Sequence, residues 1–398
     1  MVVSSRYLTM RDGVKIAIDL FLPKGHQDAD HLPTILEQNR YWRSISVPWP
    51  FRLAFGEIPA AAEKRRFVTH GYAWVEADVR GTGASYGSCP NPNFSGDQIR
   101  DGAEIVNWII RQPWSDGKVG ATGISYGGMT SQLLLVNDHP AVKAVAPRFT
   151  QFDEYSDIVF PGGICFTSLV DAWARFTQTL DRDVVPDSLP AWMWLGAKLT
   201  GAGVRPVDAD HDRTMLAAAV RAHADNFDHY AEVRSLVYRD DVAPSGLCLN
   251  ATSAHHYAPN MQASGAAIYS ESGWLDGAYV HAAVKRYLTV RNAGSRLTLG
   301  PWPHGGWLNI SPFSAARKPQ FDQIGELLRF FDYHLKGIDT GIAAEKPVHY
   351  FTMGEEKWKA ADTWPPPEAS MISYYLDGDN RLVTEFTGAP AYRLTESV

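Results

Sequence analysis

Lys118-Val119-Gly120-Ala121-Thr122-Gly123-Ile124-Ser125-Tyr126-Gly127-Gly128-Met129-Thr130-Ser131-Gln132-Leu133-Leu134 is the stretch whose reading decides the fold. Residues 118–122 read as a short strand. A G-x-S-x-G pattern follows at 123–127, and residues from 128 onward read as a buried helix. A serine on so sharp a strand-to-helix turn is lifted above the sheet edge, and glycines keep side chains out of the place where strand and helix meet. The same pattern occurs at Gly83-Ala84-Ser85-Tyr86-Gly87. A strand precedes that copy too, but Cys89-Pro90-Asn91-Pro92-Asn93 comes next, and prolines at that spacing forbid a regular helix. Context therefore selects Ser125 over Ser85. It leaves residues 81–87 as a tight loop at the carboxyl ends of the strands.

Working outward, residues 6–10 and 15–22 read as a hairpin about Asp12-Gly13. Residues 33–38 and 72–78 read as strands, with a helix over 60–68 between them. Residues 98–112 carry Ile99, Ala103, Ile105, Val106 and Ile110 on a helical period. A strand at 142–146 follows the 129–136 helix. This alternation predicts βαβ units and a mainly parallel sheet. It stops after Pro147. Residues 150–248 hold helix-like pieces, such as 214–224, and many aromatics (Phe152, Phe160, Trp173, Phe176, Trp192, Trp194), so a helical insertion is expected. The rhythm resumes with strands at 267–270 and 296–300 and helices at 278–290 and 322–335, the last closed by Gly337. From Pro347 the chain turns β-rich and prolines cluster at 365–367. The expected division is an α/β core at 1–148 and 249–344, a helical cap at 149–248 and a third, β-rich unit at 345–398.

Composition narrows the function. The chain has 398 residues, 37 basic and 44 acidic, for a net charge of −7. A mildly acidic protein without a Lys/Arg run is a poor match for a phosphate backbone, so nucleic acid is not an expected partner. Three scattered cysteines, Cys89, Cys165 and Cys248, make no C-x-x-C and suggest a reducing compartment. With no apolar leader and no long apolar run, a cytoplasmic protein that does not enter membranes is expected. Asp208-Ala209-Asp210-His211-Asp212 begins like a calcium loop, but Arg213 stands where glycine is needed and Ala219 where the bidentate Glu belongs. Gly81-Thr82-Gly83 lacks the remaining glycine of a dinucleotide fingerprint. Neither a metal nor a cofactor is expected.

A serine hydroxyl needs a base to take its proton, and the base needs a carboxylate to orient it. In the α/β-hydrolase layout these follow in the order Ser, acid, His, on loops at strand carboxyl ends. His304, in Gly300-Pro301-Trp302-Pro303-His304-Gly305-Gly306, lies just past the 296–300 strand and fits the base. Ile268-Tyr269-Ser270-Glu271-Ser272-Gly273-Trp274-Leu275-Asp276 offers two acids. Spacing alone does not choose between Asp276 and Glu271.

Taken in order, Asp78-Val79-Arg80-Gly81-Thr82-Gly83-Ala84-Ser85, Gly123-Ile124-Ser125-Tyr126-Gly127-Gly128, Gly273-Trp274-Leu275-Asp276 and Gly300-Pro301-Trp302-Pro303-His304 resemble the cocaine-esterase-like hydrolases. This CocE/NonD group is related to the Xaa-Pro dipeptidyl peptidases of peptidase family S15 and to α-amino-acid ester hydrolases. The resemblance implies an α/β-hydrolase fold with a helical cap insertion and a partial C-terminal jelly-roll, of which only the beginning is recognisable here. It implies a catalytic triad of Ser125, Asp276 and His304, and so favours Asp276 over Glu271. It also implies an oxyanion hole made by the Tyr41 hydroxyl, in Gln38-Asn39-Arg40-Tyr41-Trp42, and the backbone N–H of Tyr126. Family members usually carry proline before that tyrosine, where this chain has Arg40.

The implied activity is that of a serine hydrolase cleaving carboxylic esters or amides of small molecules or short peptides through an acyl-enzyme. The α-amino-acid ester hydrolases place acidic residues just after the catalytic Asp to bind an ammonium group. Here Gly277, Ala278 and Tyr279 follow, and Asp153, Glu154 and Asp157 early in the cap are the substitutes. A dipeptidyl peptidase or amino-acid ester hydrolase is therefore the alternative within the enzymes. A catalytically impaired binding protein lacking part of the β domain is the alternative outside them. An unfinished sandwich exposes strand edges, through which oligomers are expected.

Overall fold

A computed structural model of the chain describes residues 1–46, 59–89, 94, 96–186, 195, 202–318, 320–376 and 381–385. Pro90, Asn91, Pro92 and Asn93, used above to separate the two serines, lie outside the described residues, as do Trp192, Trp194 and the end of the 345–398 unit.

The strands are β1 (Val2–Thr9), β2 (Lys15–Leu22), β3 (Leu32–Asn39), β4 (Ala73–Asp78), β5 (Ser115–Ile124), β6 (Val142–Arg148), β7 (Ala267–Gly273), β8 (Arg296–Gly300), β9 (Val348–Thr352) and β10 (Lys357–Ala361). They join one sheet in the order β1-β2-β4-β3-β5-β6-β7-β8-β9-β10. From β4 to β9 all neighbours run parallel; β1, β2 and β10 run antiparallel to theirs. β4 and β7 are buried along their whole length, as expected of parallel strands covered on both faces. One face packs α2 (Gly96–Ile109), α3 (Tyr126–Leu133) and part of α7 (Tyr279–Thr289), through Ile105, Val106, Met129, Leu133 and Ala282. The other packs α1 (Pro59–Thr69) and α8 (Gln323–Phe331), through Phe67, Leu327, Phe330 and Phe331 against Trp74 and Tyr269. The parallel carboxyl ends all open on one side, and the loops that leave them carry the candidate residues.

The insertion holds α4 (Thr167–Asp181), α5 (Thr214–Ala222) and α6 (His229–Val233). Val159, Phe160, Val170, Val233 and Leu247 give it a small core of its own. Leu180, Val204 and Leu216 pack against Ala17 and Trp42 of the α/β part.

Part of the segment expected as a separate β unit, residues 348–361, lies in the main sheet. Val348 pairs with Leu297 of β8, and β10 pairs antiparallel onto β9, so residues 348–361 finish the main sheet. The proline cluster lies after that sheet is complete. Buried Val348 and Ala361 belong to the core against Leu297 and Leu299. Beyond Ala361 the described residues hold a short pairing of Tyr375–Leu376 with Leu382–Val383. No helix of the described residues is long and apolar enough to cross a membrane.

Candidate active site

At the end of β5 the backbone of Ser125 turns through φ 60° and ψ −117° before α3 begins. That region costs a residue with a side chain of order 1–3 kcal/mol, so it persists only where its surroundings enforce it. The Ser125 amide bonds the Arg148 carbonyl at 3.0 Å. A Cβ on Gly123 would sit 2.4 Å from the carbonyl carbon of Gly127, and one on Gly128 would sit 2.8 Å from the Arg148 oxygen. Steric need thus falls on Gly123 and Gly128. Ser85 is wholly buried and serves as a rivet: its hydroxyl donates to the Asp78 carbonyl at 2.7 Å and accepts from the Ala17 amide at 2.8 Å.

His304 Nδ1 and Asp276 Oδ1 are 2.8 Å apart, and the Ser272 hydroxyl reaches the other Asp276 oxygen at 3.3 Å. Burial pushes the Asp276 carboxyl above its ordinary range, opposed by the bond from His304. With Nδ1 facing Asp276, Nε2 is the nitrogen available to a substrate-side proton. The imidazole is held by Tyr279, with ring centroids 4.9 Å apart, and by the edge of Phe149 at 6.2 Å. Glu271, the competing acid, lies inside β7 with no exposed surface, and neither of its oxygens has a hydrogen-bond partner. Burial raises its pKa to about 7, opposed by the charge of Arg148.

The Ser125 side chain shares a cavity with two phenols, Tyr41 and Tyr279. No described hydrogen bond joins Ser125 to His304; such bonds are often loose before substrate arrives. The Trp173 indole N–H donates to the Tyr41 oxygen at 2.9 Å. An indole nitrogen can only donate, so this bond leaves the Tyr41 O–H free to turn toward Ser125. Tyr126 is the first residue of α3, and its N–H is among the amides no carbonyl of the helix can reach.

The loop bearing Tyr41 is clamped at several points. Asn39 Oδ1 accepts the amides of Arg40 and Tyr41 at 2.8 and 3.3 Å. Arg40, standing where proline is usual, pairs with Asp181 of α4 at 3.1 Å and lies over the Trp173 ring. Arg43 pairs with Asp78 at 2.8 Å and Asp19 at 3.0 Å, all three side chains fully buried. Asp78 also accepts the amides of Arg43 and Ala84. The 78–85 motif is therefore structural, tying the Tyr41 loop to the strand ends.

Three residues here escaped sequence reasoning: Tyr279, Trp173 and His229. The signal for Tyr279 was its place one helical turn after Asp276; Trp173 and His229 gave none. A cavity of about 70 Å³ on the insertion side is lined by Ser125, Tyr41, Tyr279, Trp173, Glu154 and His229, with apolar side chains between them. Burial lowers the His229 pKa to about 3, so that ring is neutral. Of the acids expected to bind ammonium, Asp153 pairs with Arg239 and Asp157 with Lys285, while Glu154 faces the cavity. A second cavity, of about 270 Å³, reaches Ser125 from the other side, past Tyr41. Elsewhere Glu326, Glu345 and His349 could converge on a cation, but Arg329 already bonds both glutamates, at 2.7 and 2.6 Å.

Residues 12–306 match the profile of the X-Pro dipeptidyl-peptidases of the S15 family. A Mycobacterium bovis protein provisionally named a serine esterase is 51% identical over 406 residues, 95% of this chain and 63% of its own length. The cocaine esterase of a Rhodococcus species is 27% identical, over 97% of this chain and 64% of its own. The crystal structure of a CocE/NonD family hydrolase from Staphylococcus aureus superimposes with a TM-score of 0.69 at 18% identity, over 97% of this chain and 60% of that one. At that identity the likeness speaks for the fold, an α/β-hydrolase. The chain spans about three-fifths of the length of these curated relatives.

Proposed function

The chain belongs to the S15 family of X-Pro dipeptidyl-peptidases, and from that premise we propose that it is a serine hydrolase of small carboxylic esters. The observation that carries this is the His304–Asp276 bond on loops beside the strained Ser125 elbow. Ser125 Oγ attacks the acyl carbon as His304 Nε2 takes its proton. Asp276 holds the ring and balances its charge. Tyr41 O–H and the Tyr126 N–H receive the developing oxyanion, each donor worth about 3 kcal/mol of barrier in comparable sites. His304 then returns the proton to the leaving oxygen, and water, activated in the same way, frees the acid from Ser125.

The test is hydrolysis of p-nitrophenyl acetate and butyrate by wild type and Ser125→Ala. Activity that collapses by about four orders of magnitude or more in the variant supports the reading; activity that survives sinks it. The cap-side cavity is small, so acetate is expected to exceed butyrate.

Glu154 favours a second reading, an acyl group bearing an α-amino function, as in an Xaa-Pro dipeptide or an amino-acid ester. Its carboxylate borders the cavity beside Ser125 while also accepting the Thr252 hydroxyl at 2.9 Å. Release of aniline from Xaa-Pro anilides, lost in Glu154→Gln, would establish this reading over the first.

A further inference from the structure

We propose that the 270 Å³ cavity on the far side of Ser125 from the insertion is the leaving-group site, and that it takes a neutral, polyhydroxylated alcohol such as a monosaccharide. The inference deepens the esterase reading and rests on it.

Position comes first. Ser125 and Tyr41 line both cavities, so the reacting carbon lies between them. Gly305 and Trp307, which directly follow His304, line the larger one. His304 must hand its proton to the leaving oxygen, so the leaving group belongs on the side walled by the His304 loop. The acyl part then falls on the insertion side.

The lining sets the chemistry. Arg148 is 4% exposed; it gives one N–H to Glu63 at 2.6 Å, and its Nε–H has no partner. The Trp74 indole N–H is likewise buried and unpartnered. The Glu37 carboxyl makes no side-chain hydrogen bond among the described residues, and burial, with Glu76 near, raises its pKa to about 8. Asn39 and Gln323 add carboxamides. Buried donors without partners mark a place that a ligand or water completes. Donors and acceptors are mixed here. The Arg148 charge is already met by Glu63, so neither a cation nor an anion finds an unopposed counter-charge, whereas hydroxyls both donate and accept. Trp74 and Trp307, the latter 47% exposed, add aromatic surface to the lining against which the C–H groups of a sugar can pack. The volume lies at the small end of ligand pockets, right for one sugar ring.

In the reaction the acyl C–O bond to the sugar breaks as the acyl carbon bonds Ser125 Oγ. The serine proton passes through His304 to the sugar oxygen, the free sugar departs, and water releases the carboxylic acid.

The test compares 6-O-acetylglucose with ethyl acetate, which share the acyl group. Binding to Ser125→Ala is measured by titration calorimetry, and wild type is titrated with free glucose as a second measurement. Turnover by wild type is followed for both esters and for p-nitrophenyl acetate. The sugar ester is expected to bind about tenfold more tightly than ethyl acetate, and its kcat/KM to be higher by about the same factor. Both margins should shrink severalfold in Trp307→Ala and Glu37→Leu. Equal binding and equal kcat/KM overturn the proposal, as do margins that survive both substitutions. Cleavage of p-nitrophenyl acetate without a preference for the sugar ester overturns this site and leaves the esterase reading standing. Saturable sugar-ester binding without cleavage of any ester upholds the site and overturns the esterase reading.

Discussion

Ser125 holds a backbone conformation that glycine adopts freely and other residues do not. Nothing about its side chain requires that geometry; the elbow imposes it through the Arg148 carbonyl and the close approach of Gly123 to Gly127. If the strain is maintained for chemistry, removing the Cβ should release it. Ser125→Gly and Ser125→Ala both delete the hydroxyl, and they differ in the Cβ that makes φ 60° costly. We expect the glycine variant to be the more stable of the two by about 1 kcal/mol in urea unfolding. An alanine variant as stable as the glycine one would mean the elbow is relaxed. The elbow at this serine was legible because its neighbours carry backbone geometry in their side-chain size. Ser85 sits in the same five-residue pattern, yet its hydroxyl closes two buried hydrogen bonds. Tyr279 and Trp173 were not legible, because an aromatic residue on an amphipathic helix looks the same whether its polar atom meets a core partner or a nucleophile.

The elements follow local rules closely in the α/β part. Strand and helix positions from β1 to α8 emerged from periodicity and from glycine and proline punctuation, with ends shifted by a few residues. Two features needed long-range information. One was the fate of residues 348–361, whose alternation suits either a new sandwich or an edge of the main sheet; only the pairing of Val348 with Leu297 decides. The other was the support of the Tyr41 loop. Its clamp joins Arg43 to Asp19 on β2 and Asp78 at the end of β4, and Arg40 to Asp181 on α4, partners spread over 162 positions of sequence from Asp19 to Asp181. Arg43 neutralises two carboxylates with no exposed surface. Arg43→Met keeps most of the side-chain volume and strands both charges, so a loss of about 3–5 kcal/mol is expected. Because Tyr41 lies two residues away, any folded fraction should also show a lower kcat with little change in KM, the mark of a donor displaced from the transition state. A variant of wild-type stability would show that the Arg43 ion pairs contribute nothing net to the fold.

At the scale of the whole molecule, the largest tension is a group of acids held beneath the strand ends. Glu37, Glu63, Glu76 and Glu271 share a region whose cations are Lys64 and Arg148. Lys64 pairs with Glu76 and Arg148 with Glu63. Burial displaces Glu76 upward in spite of Lys64, and the remaining two carboxyls as well, Glu271 to about 7 and Glu37 to about 8, from an ordinary value of 4.5. Between pH 4.5 and those values the native state keeps protons that the unfolded chain has released, so unfolding releases protons. Stability then falls as pH rises, being fully present below about 4.5 and lost as pH passes through about 7 to 8. Urea midpoints should therefore decline between about pH 6.5 and 8, above the range in which buried neutral histidines such as His229 and His334 make stability rise with pH. Glu271→Gln removes one of these titrations and keeps the shape of the side chain, so its midpoint should decline less steeply and exceed wild type at pH 8. It lies away from the His304–Asp276 bond, so the comparison separates the fold's response to pH from the chemistry's. Parallel slopes for wild type and variant would mean that Glu271 is ionised in the native state, and that Arg148 serves it as well as Glu63.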